Sequence, residues 1–395
     1  MMSPALSRRI KQHVHAPIHA FFAPCSPGLE PILARELTEL AAEAVTPVAG
    51  GVEFKGKLDL AYQANLWLRT ANRVLLRAAE FRARAPEELF RHATDVRWET
   101  LLPALPLRVE VSLHASRLTS DTQVERTLRE AIQARLLDQG LPPLPEGDLP
   151  EGEGPEQLLL VRLESNRVLL SLDTSGELLH KRGYREATAK APIRETLAAG
   201  ILLAAAYDGS APLLDPMCGA GTFPIEAALI ARKLPPGLNR SFLFERWPSY
   251  KEATWNHLKA KALAQALPEA PQPILAQDLN AGAIAATRAN ATRAGVLDDL
   301  TLATADFFAT TAPAGEAGWV VINPPYGRRV GEREDVGRLY DRIGATLRRG
   351  FAGWRYALVV PEPSLYGALR LPESDRLLLP HGGLKVGVTI GRLPE

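Results

Sequence analysis

A chain of 395 residues is too long for one ordinary domain and suggests two or three units, each with room for a core. With 46% hydrophobic and 23% charged residues it is not a disordered polymer. Its 46 basic and 45 acidic side chains leave a net charge of +1, so no global field attracts a polyanion and any nucleic-acid contact must be a local basic patch.

Cys25 and Cys218 lie far apart, and His92, His114 and His381 show no metal-ligand spacing, so neither a metal site nor a disulfide framework is expected and a reducing cytoplasm fits. The longest apolar stretch, Leu197 to Tyr207, falls well short of the roughly 20 residues that span a bilayer and reads as a buried helix.

The opening MMSPALSRRIKQHVHAPIHA is basic without an apolar centre and reads as a flexible tail over residues 1–20, not a secretory leader. From Phe21 a short strand turns through Pro24 to Gly28 into an amphipathic helix with Leu29, Ile32, Leu33, Leu37 and Leu40 on its apolar stripe. GGVEFKGK comes next as a turn and strand, LDLAYQANLWLRT as a helix and RVLLRAAEFRA as a strand, an alternation that makes the region from residue 21 onward an α+β head. LRVEVSLHAS is a strand, SDTQVERTLREAIQARLLDQ a helix capped by Ser120 or Asp121, and QLLLVRLESNRVLLSLDTSG a hairpin. The Pro/Gly/Glu-rich segment between them, LPPLPEGDLPEGEGPE, reads as an exposed loop.

Beyond residue 176, PIRETLAAGILLAAAYD is a helix leading into the strand of APLLDPMCGAGT. Strand candidates at Pro273 to Ala276, Leu300 to Ala303 and Trp319 to Ile322 alternate with helices, the form of a parallel sheet with crossovers. YALVVPE and KVGVTIGRL add a C-terminal strand pair.

The motifs sit at strand ends. Asp215 ends a strand, and Gly219 and Gly221 let a ligand approach the backbone at the carboxyl edge of the sheet. Asp278 follows the next strand, where a carboxylate accepts from two ribose hydroxyls, and Asp306 follows a third, where an adenine would lie. In VVINPPYG, fixed proline dihedrals aim the Asn323 amide oxygen and the Pro324 carbonyl at one point, two acceptors for an NH2 group, with Tyr326 available to stack on the ring bearing it. One acidic residue after a strand is usually a cap; three in register with an Asn-Pro-Pro turn are hard to dismiss.

This set resembles the class I methyltransferases of the N-methylating branch. The resemblance implies S-adenosylmethionine as cofactor, held by Asp215, Met217, Cys218, Gly219, Gly221, Thr222, Asp278, Asp306 and Asn323, with Asn323, Pro324 and Tyr326 at the target amine. From about Phe21 to the C-terminus, GGVEFKG, LHKRGYR, APIRETLAA and LLDPMCGAGT together resemble the RlmL-type THUMP-domain ribosomal RNA guanine-2-amine methyltransferases. That likeness implies a ferredoxin-like segment over residues 21–70, a THUMP RNA-binding domain over 71–176 and a Rossmann-like class I methyltransferase domain over 177–395. It also implies methylation of a guanine 2-amino group in large-subunit (23S) ribosomal RNA, after the base is unstacked.

Some relatives continue into a second methyltransferase, so a single modification is expected here. Basic clusters add candidate RNA contacts at Lys181, Arg182, Tyr184 and Arg185, at Arg328 and Arg329, and at Arg82 and Arg84. A THUMP-type tRNA guanine-2-amine methyltransferase and a non-catalytic RNA-binding assembly factor stay open as alternatives. The modified nucleotide is not legible, nor is the oligomeric state, for which a monomer is slightly favoured.

Overall fold

The computed structural model describes residues 4–145, 154–185, 193–325, 333–372, 375–381 and 384–395. Tyr326, Arg328 and Arg329 lie outside the described residues, as does the centre of the Pro/Gly/Glu-rich loop.

The head is one sheet of seven strands: β1 (His19–Pro24), β2 (Glu43–Val48), β3 (Gly51–Gly56), β4 (Leu75–Arg82), β5 (Leu107–His114), β6 (Gln157–Glu164) and β7 (Arg167–Asp173), in the order β2-β3-β1-β4-β7-β6-β5. β6 and β7 form the expected hairpin. Its two-residue turn, Ser165–Asn166, has positive φ at both positions, 50° and 63°, which matches the twist of the flanking strands. β1 and β4 pair only at Phe21↔Leu76 and Phe22↔Leu75, yet this contact carries the sheet across the expected boundary at residue 70.

Alternation decides the faces of this sheet. Phe21, Val52 and Phe54 point into the core, while Phe22, Glu53, Lys55, Arg77, Glu110 and Arg162 line an open groove. The groove's cations are largely neutralised locally, by Arg77–Glu53 at 3.3 Å, Arg167–Glu80 at 2.7 Å and Arg162–Glu164 at 2.9 Å.

The N-terminus and an edge strand depart from expectation. Residues 4–15 are not a flexible tail but a helix, Pro4–Ile10, and a π turn, Lys11–His15. Ile10 and Val14, four residues apart, bury into the core, and Arg9 joins Arg135 on the buried carboxylate of Glu99. β2 was also missed, because its side chains are almost all solvent-exposed and Pro47, tolerated only on an edge, masks the strand pattern.

The second sheet holds β8 (Leu213–Asp215), β9 (Ile274–Asp278), β10 (Leu300–Thr304), β11 (Trp319–Ile322), β12 (Arg355–Val360), β13 (Asp375–His381) and β14 (Leu384–Arg392), ordered β10-β9-β8-β11-β12-β14-β13. β8 to β12 run parallel and β14 is antiparallel to both its neighbours. Strand order reverses between β8 and β11, which opens a crevice at their carboxyl ends.

One hydrophobic core runs from the head into this second unit. Residues 235–251 form much of the joint. Gly237 N–H donates to Leu66 O at 3.0 Å, Phe244 N–H to Thr174 O at 3.0 Å and Trp247 Nε1 to Gln157 Oε1 at 2.9 Å, while Tyr62 stacks on Phe244 at 4.3 Å. Leu29 packs closely on the helix Glu195–Ala204 at Gly200, where a Cβ would sit 2.8 Å from Leu29 Cδ1.

Candidate functional site

The carboxyl ends of β8, β9, β10 and β11 surround a cavity of about 400 Å³, within the range of small-molecule sites. Asp215, Met217, Cys218, Gly219, Thr222, Asp278, Asp306 and Asn323 all line it, together with Ile193, Phe307, Phe308 and Leu339. A doubly wound sheet brings strand-end residues to one edge whatever their separation in sequence, so residues 108 positions apart (Asp215 and Asn323) share one wall.

Between β8 and the helix Thr222–Ala231 the chain makes a glycine-containing turn. Gly219, at φ 55°, has nothing within 4 Å of the place a Cβ would take, so the space above its backbone is open. Gly221 behaves differently from expectation. At φ 84° a Cβ there would meet Thr287 Cγ2 at 2.6 Å, so this glycine allows close packing of the helix Ala281–Ala294 and does not line the cavity.

The turn is braced from outside. Asp278 Oδ2 accepts from Gly219 N–H at 2.9 Å, Thr287 Oγ1 donates to Gly219 O at 2.9 Å, and Asn290 Nδ2 donates to Ala220 O at 2.8 Å. Asp278 Oδ1 accepts from Asn280 N–H at 2.9 Å, and each oxygen of the carboxylate keeps a further lone pair for a ligand.

Asp215 is buried, and burial drives its carboxyl well above the usual carboxylate range; the Met217 N–H at 3.1 Å opposes this and the nearby charge of Asp278 reinforces it. Burial likewise raises the Cys218 thiol, which makes it a packing group and not a thiolate. Asp306 caps the short turn Phe307–Ala309 by accepting from Phe308 N–H at 2.9 Å.

Asn323 follows β11 directly. Its Oδ1 is buried and has no hydrogen-bond partner among the described residues, a state that costs free energy unless a ligand supplies a donor. Pro324 is buried behind it, and Pro325, not Pro324, lines the cavity. No group of three or more His, Cys, Asp or Glu among the described residues suits a metal ion.

The sequence reading missed Phe307 and Phe308. Phe307 is buried against Phe351, and Phe308 lies under the Arg342 guanidinium, 3.8 Å from its ring centroid. The ADFF string carried that signal as an aromatic pair beside the acidic strand end.

The expected RNA cluster does not hold together at a surface. Arg182 is buried, donating to Leu179 O at 2.6 Å and to Arg69 O at 2.6 Å, and pairs with Glu226 at 3.4 Å. Tyr184 is also buried, its hydroxyl donating to Glu226 Oε1 at 3.2 Å. Arg182 sits where the head meets the second unit and Tyr184 beside it on Glu226, so a basic and aromatic string expected at a surface is used to satisfy an internal carboxylate. Arg185 turns inward to Thr222, and only Lys181 is exposed, beside Glu177 at 3.0 Å.

Residues 182–382 match the family described as the RMKL-like methyltransferase domain, and residues 20–75 match the RlmL ferredoxin-like domain. The ribosomal RNA large subunit methyltransferase K/L of Cellvibrio japonicus (strain Ueda107) is 37% identical over 364 residues, 88% of this chain and 48% of that protein, so the chain spans about half the length of that relative. A protein of Synechocystis sp. (strain ATCC 27184 / PCC 6803 / Kazusa), named as a candidate RNA methyltransferase, is 33% identical over 92% of this chain and 94% of its own length. The crystal structure of SMU.472, a candidate methyltransferase in complex with SAH, is 30% identical and superposes with a TM-score of 0.85, covering 96% of this chain and 98% of that one.

Proposed function

The chain belongs to the RMKL-like methyltransferase family, and from that premise we propose that it methylates the 2-amino group of a guanine in large-subunit (23S) ribosomal RNA with S-adenosylmethionine as methyl donor. The observation that carries this reading is the buried Asn323 Oδ1, without a hydrogen-bond partner among the described residues, in the same cavity as Asp278 and Asp306. An acceptor with no donor among the described residues suits an incoming NH2 group.

The cavity fits a nucleoside-bearing cofactor. Its backbone opens at Gly219, Asp278 offers free lone pairs to ribose hydroxyls, and Asp306 with Phe307 and Phe308 forms the wall assigned to adenine. When bound, the cofactor supplies an electrophilic methyl group on a sulfonium.

The chain's own contribution is placement and charge. Asn323 Oδ1 accepts from the guanine amine, which holds the nitrogen lone pair out of conjugation with the ring and stabilises the positive charge that grows on it; the Pro324 carbonyl, expected as a second acceptor, belongs to a residue outside the cavity lining. The amine acceptor lies inside a cavity at the sheet edge, so the guanine must leave its stack to reach it. Residues 21–176, divided near residue 70 into a ferredoxin-like segment and a THUMP domain, are assigned to holding the RNA. Action on ribosomal RNA implies a cytoplasmic protein, and no helix among the described residues is long and apolar enough to cross a membrane.

The test is mass spectrometry of ribosomal RNA from cells lacking the protein, beside methylation of deproteinised ribosomal RNA and bulk tRNA by the purified protein. Loss of one N2-methylguanine in the large-subunit RNA, restored by the protein, is expected. Methylation confined to tRNA would overturn the substrate assignment, and incorporation into neither would overturn the RNA reading.

A further inference from the structure

Arg185, expected at an RNA surface, reaches instead for the wall of the cavity. Its Nη2 donates to Thr222 Oγ1 at 2.7 Å and to the Ile193 carbonyl at 3.0 Å, and its Nε lies 2.8 Å from Glu195 Oε1. Thr222 and Ile193 both line the cavity, whereas Arg185 itself does not.

A hydroxyl has one proton to give and two lone pairs to offer. Thr222 uses a lone pair on the Arg185 guanidinium, so its proton remains to be donated. No acceptor for it appears among the described residues, although the side chain is almost wholly buried. The bond to a cation also polarises the hydroxyl and makes it a stronger donor. Thr222 begins the helix Thr222–Ala231, whose first turn carries no acidic residue, so the local field there favours an anion. The acidic Asp278 and Asp306 lie at other strand ends and suit hydroxyls and amines.

We propose that Arg185 is a positioning residue that aims the Thr222 hydroxyl into the cavity, where it donates to the carboxylate of the cofactor's amino-acid tail. The proposal rests on the reading of this cavity as the S-adenosylmethionine site. Segment Leu178–Arg185 thereby has two tasks: Arg182 closes the joint with the head through Arg69 O, and Arg185 shapes the cofactor wall. Arg293 ties the same segment to the glycine turn from a second side, since its Nε donates to Tyr184 O at 2.8 Å and its Nη2 to Asn290 Oδ1 at 2.6 Å.

Two probes separate positioning from support. S-adenosylhomocysteine carries the amino-acid carboxylate, and 5′-methylthioadenosine has the same nucleoside without it. By titration calorimetry, Arg185→Met and Thr222→Val should each weaken S-adenosylhomocysteine about tenfold and leave 5′-methylthioadenosine unchanged. Thr222→Ser should retain wild-type affinity, Arg185→Lys should recover part of the loss, and the Arg185→Met/Thr222→Val double variant should lose little more than either single one. Equal weakening of both ligands, or no weakening of either, overturns the proposal, and if Arg185→Met fails to fold Thr222→Val decides alone. Asp278→Ala is the control for the site itself. It should weaken both ligands, because both carry the ribose, and if it weakens neither the cofactor reading fails independently of Arg185.

Discussion

The cavity rim and the segment Leu178–Arg185 both carry sequence signals, the rim's the sharper, and the fold uses them in opposite ways. At the rim, Asp278, Asp306 and Asn323 sit at a strand end or one or two residues past it, and the parallel sheet delivers them to a common edge with spare hydrogen-bonding capacity. In LHKRGYR the most conspicuous polar groups turn inward, with Arg182 and Tyr184 bonded to Glu226 and Arg182 to backbone carbonyls as well. A polar residue is a functional candidate in proportion to the hydrogen bonds it leaves unmade, not to its charge.

The largest expected effect tests the internal half of this contrast. Arg182→Ala strips a buried cation from Glu226, whose side chain is fully enclosed, and should cost about 3–5 kcal/mol of stability. Urea unfolding measures it. Affinity for RNA, assayed where the variant remains folded, should not change, and a selective loss of RNA binding at wild-type stability would restore the surface reading.

Asn323→Ala should act at the rim with the opposite profile. Removing one preorganised acceptor should lower single-turnover methyl transfer by roughly 10²-fold or more. Melting temperature and cofactor affinity should stay near wild type, because the amide oxygen bonds to none of the described residues. A stable, cofactor-binding variant with normal transfer would show that Asn323 only shapes the turn.

Asp278→Ala is expected to weaken S-adenosylmethionine by about 1.5–3 kcal/mol in calorimetry, the scale of hydrogen bonds to a charged group. Part of that loss passes through Gly219, whose N–H loses its acceptor. Asp278→Asn, which keeps an oxygen for that N–H, should therefore lose less.

The smallest effect sharpens the comparison within the segment. Lys181 is more than half exposed and its pair with Glu177 is solvated, so Lys181→Ala should change stability by less than about 0.5 kcal/mol. If the segment touches RNA at all, this is the residue that should reduce affinity, and the loss should shrink as salt is raised. A large change in melting temperature would mean that the exposed pair supports the joint.

The order of strands and helices and the strand-end placement of Asp215, Asp278, Asp306 and Asn323 were legible because they rest on local rules: hydrophobic runs of strand length, and turn chemistry at their ends. Parallel connectivity then fixes which ends meet. Gly219 and Gly221 looked alike for the same reason, and only the approach of Thr287 distinguishes a glycine that opens toward a ligand from one that admits a helix. The N-terminal helix was hidden because two apolar residues, Ile10 and Val14, mark it, and the core they enter is assembled from residues far along the chain. The fate of Arg182, Tyr184 and Arg185 was undecidable in sequence because Glu226, Arg69 and Thr222, which claim them, arrive from 37 to 113 positions away. Burial and partner choice are properties of that assembly, whereas a turn at the end of a strand is a property of the few residues that make it.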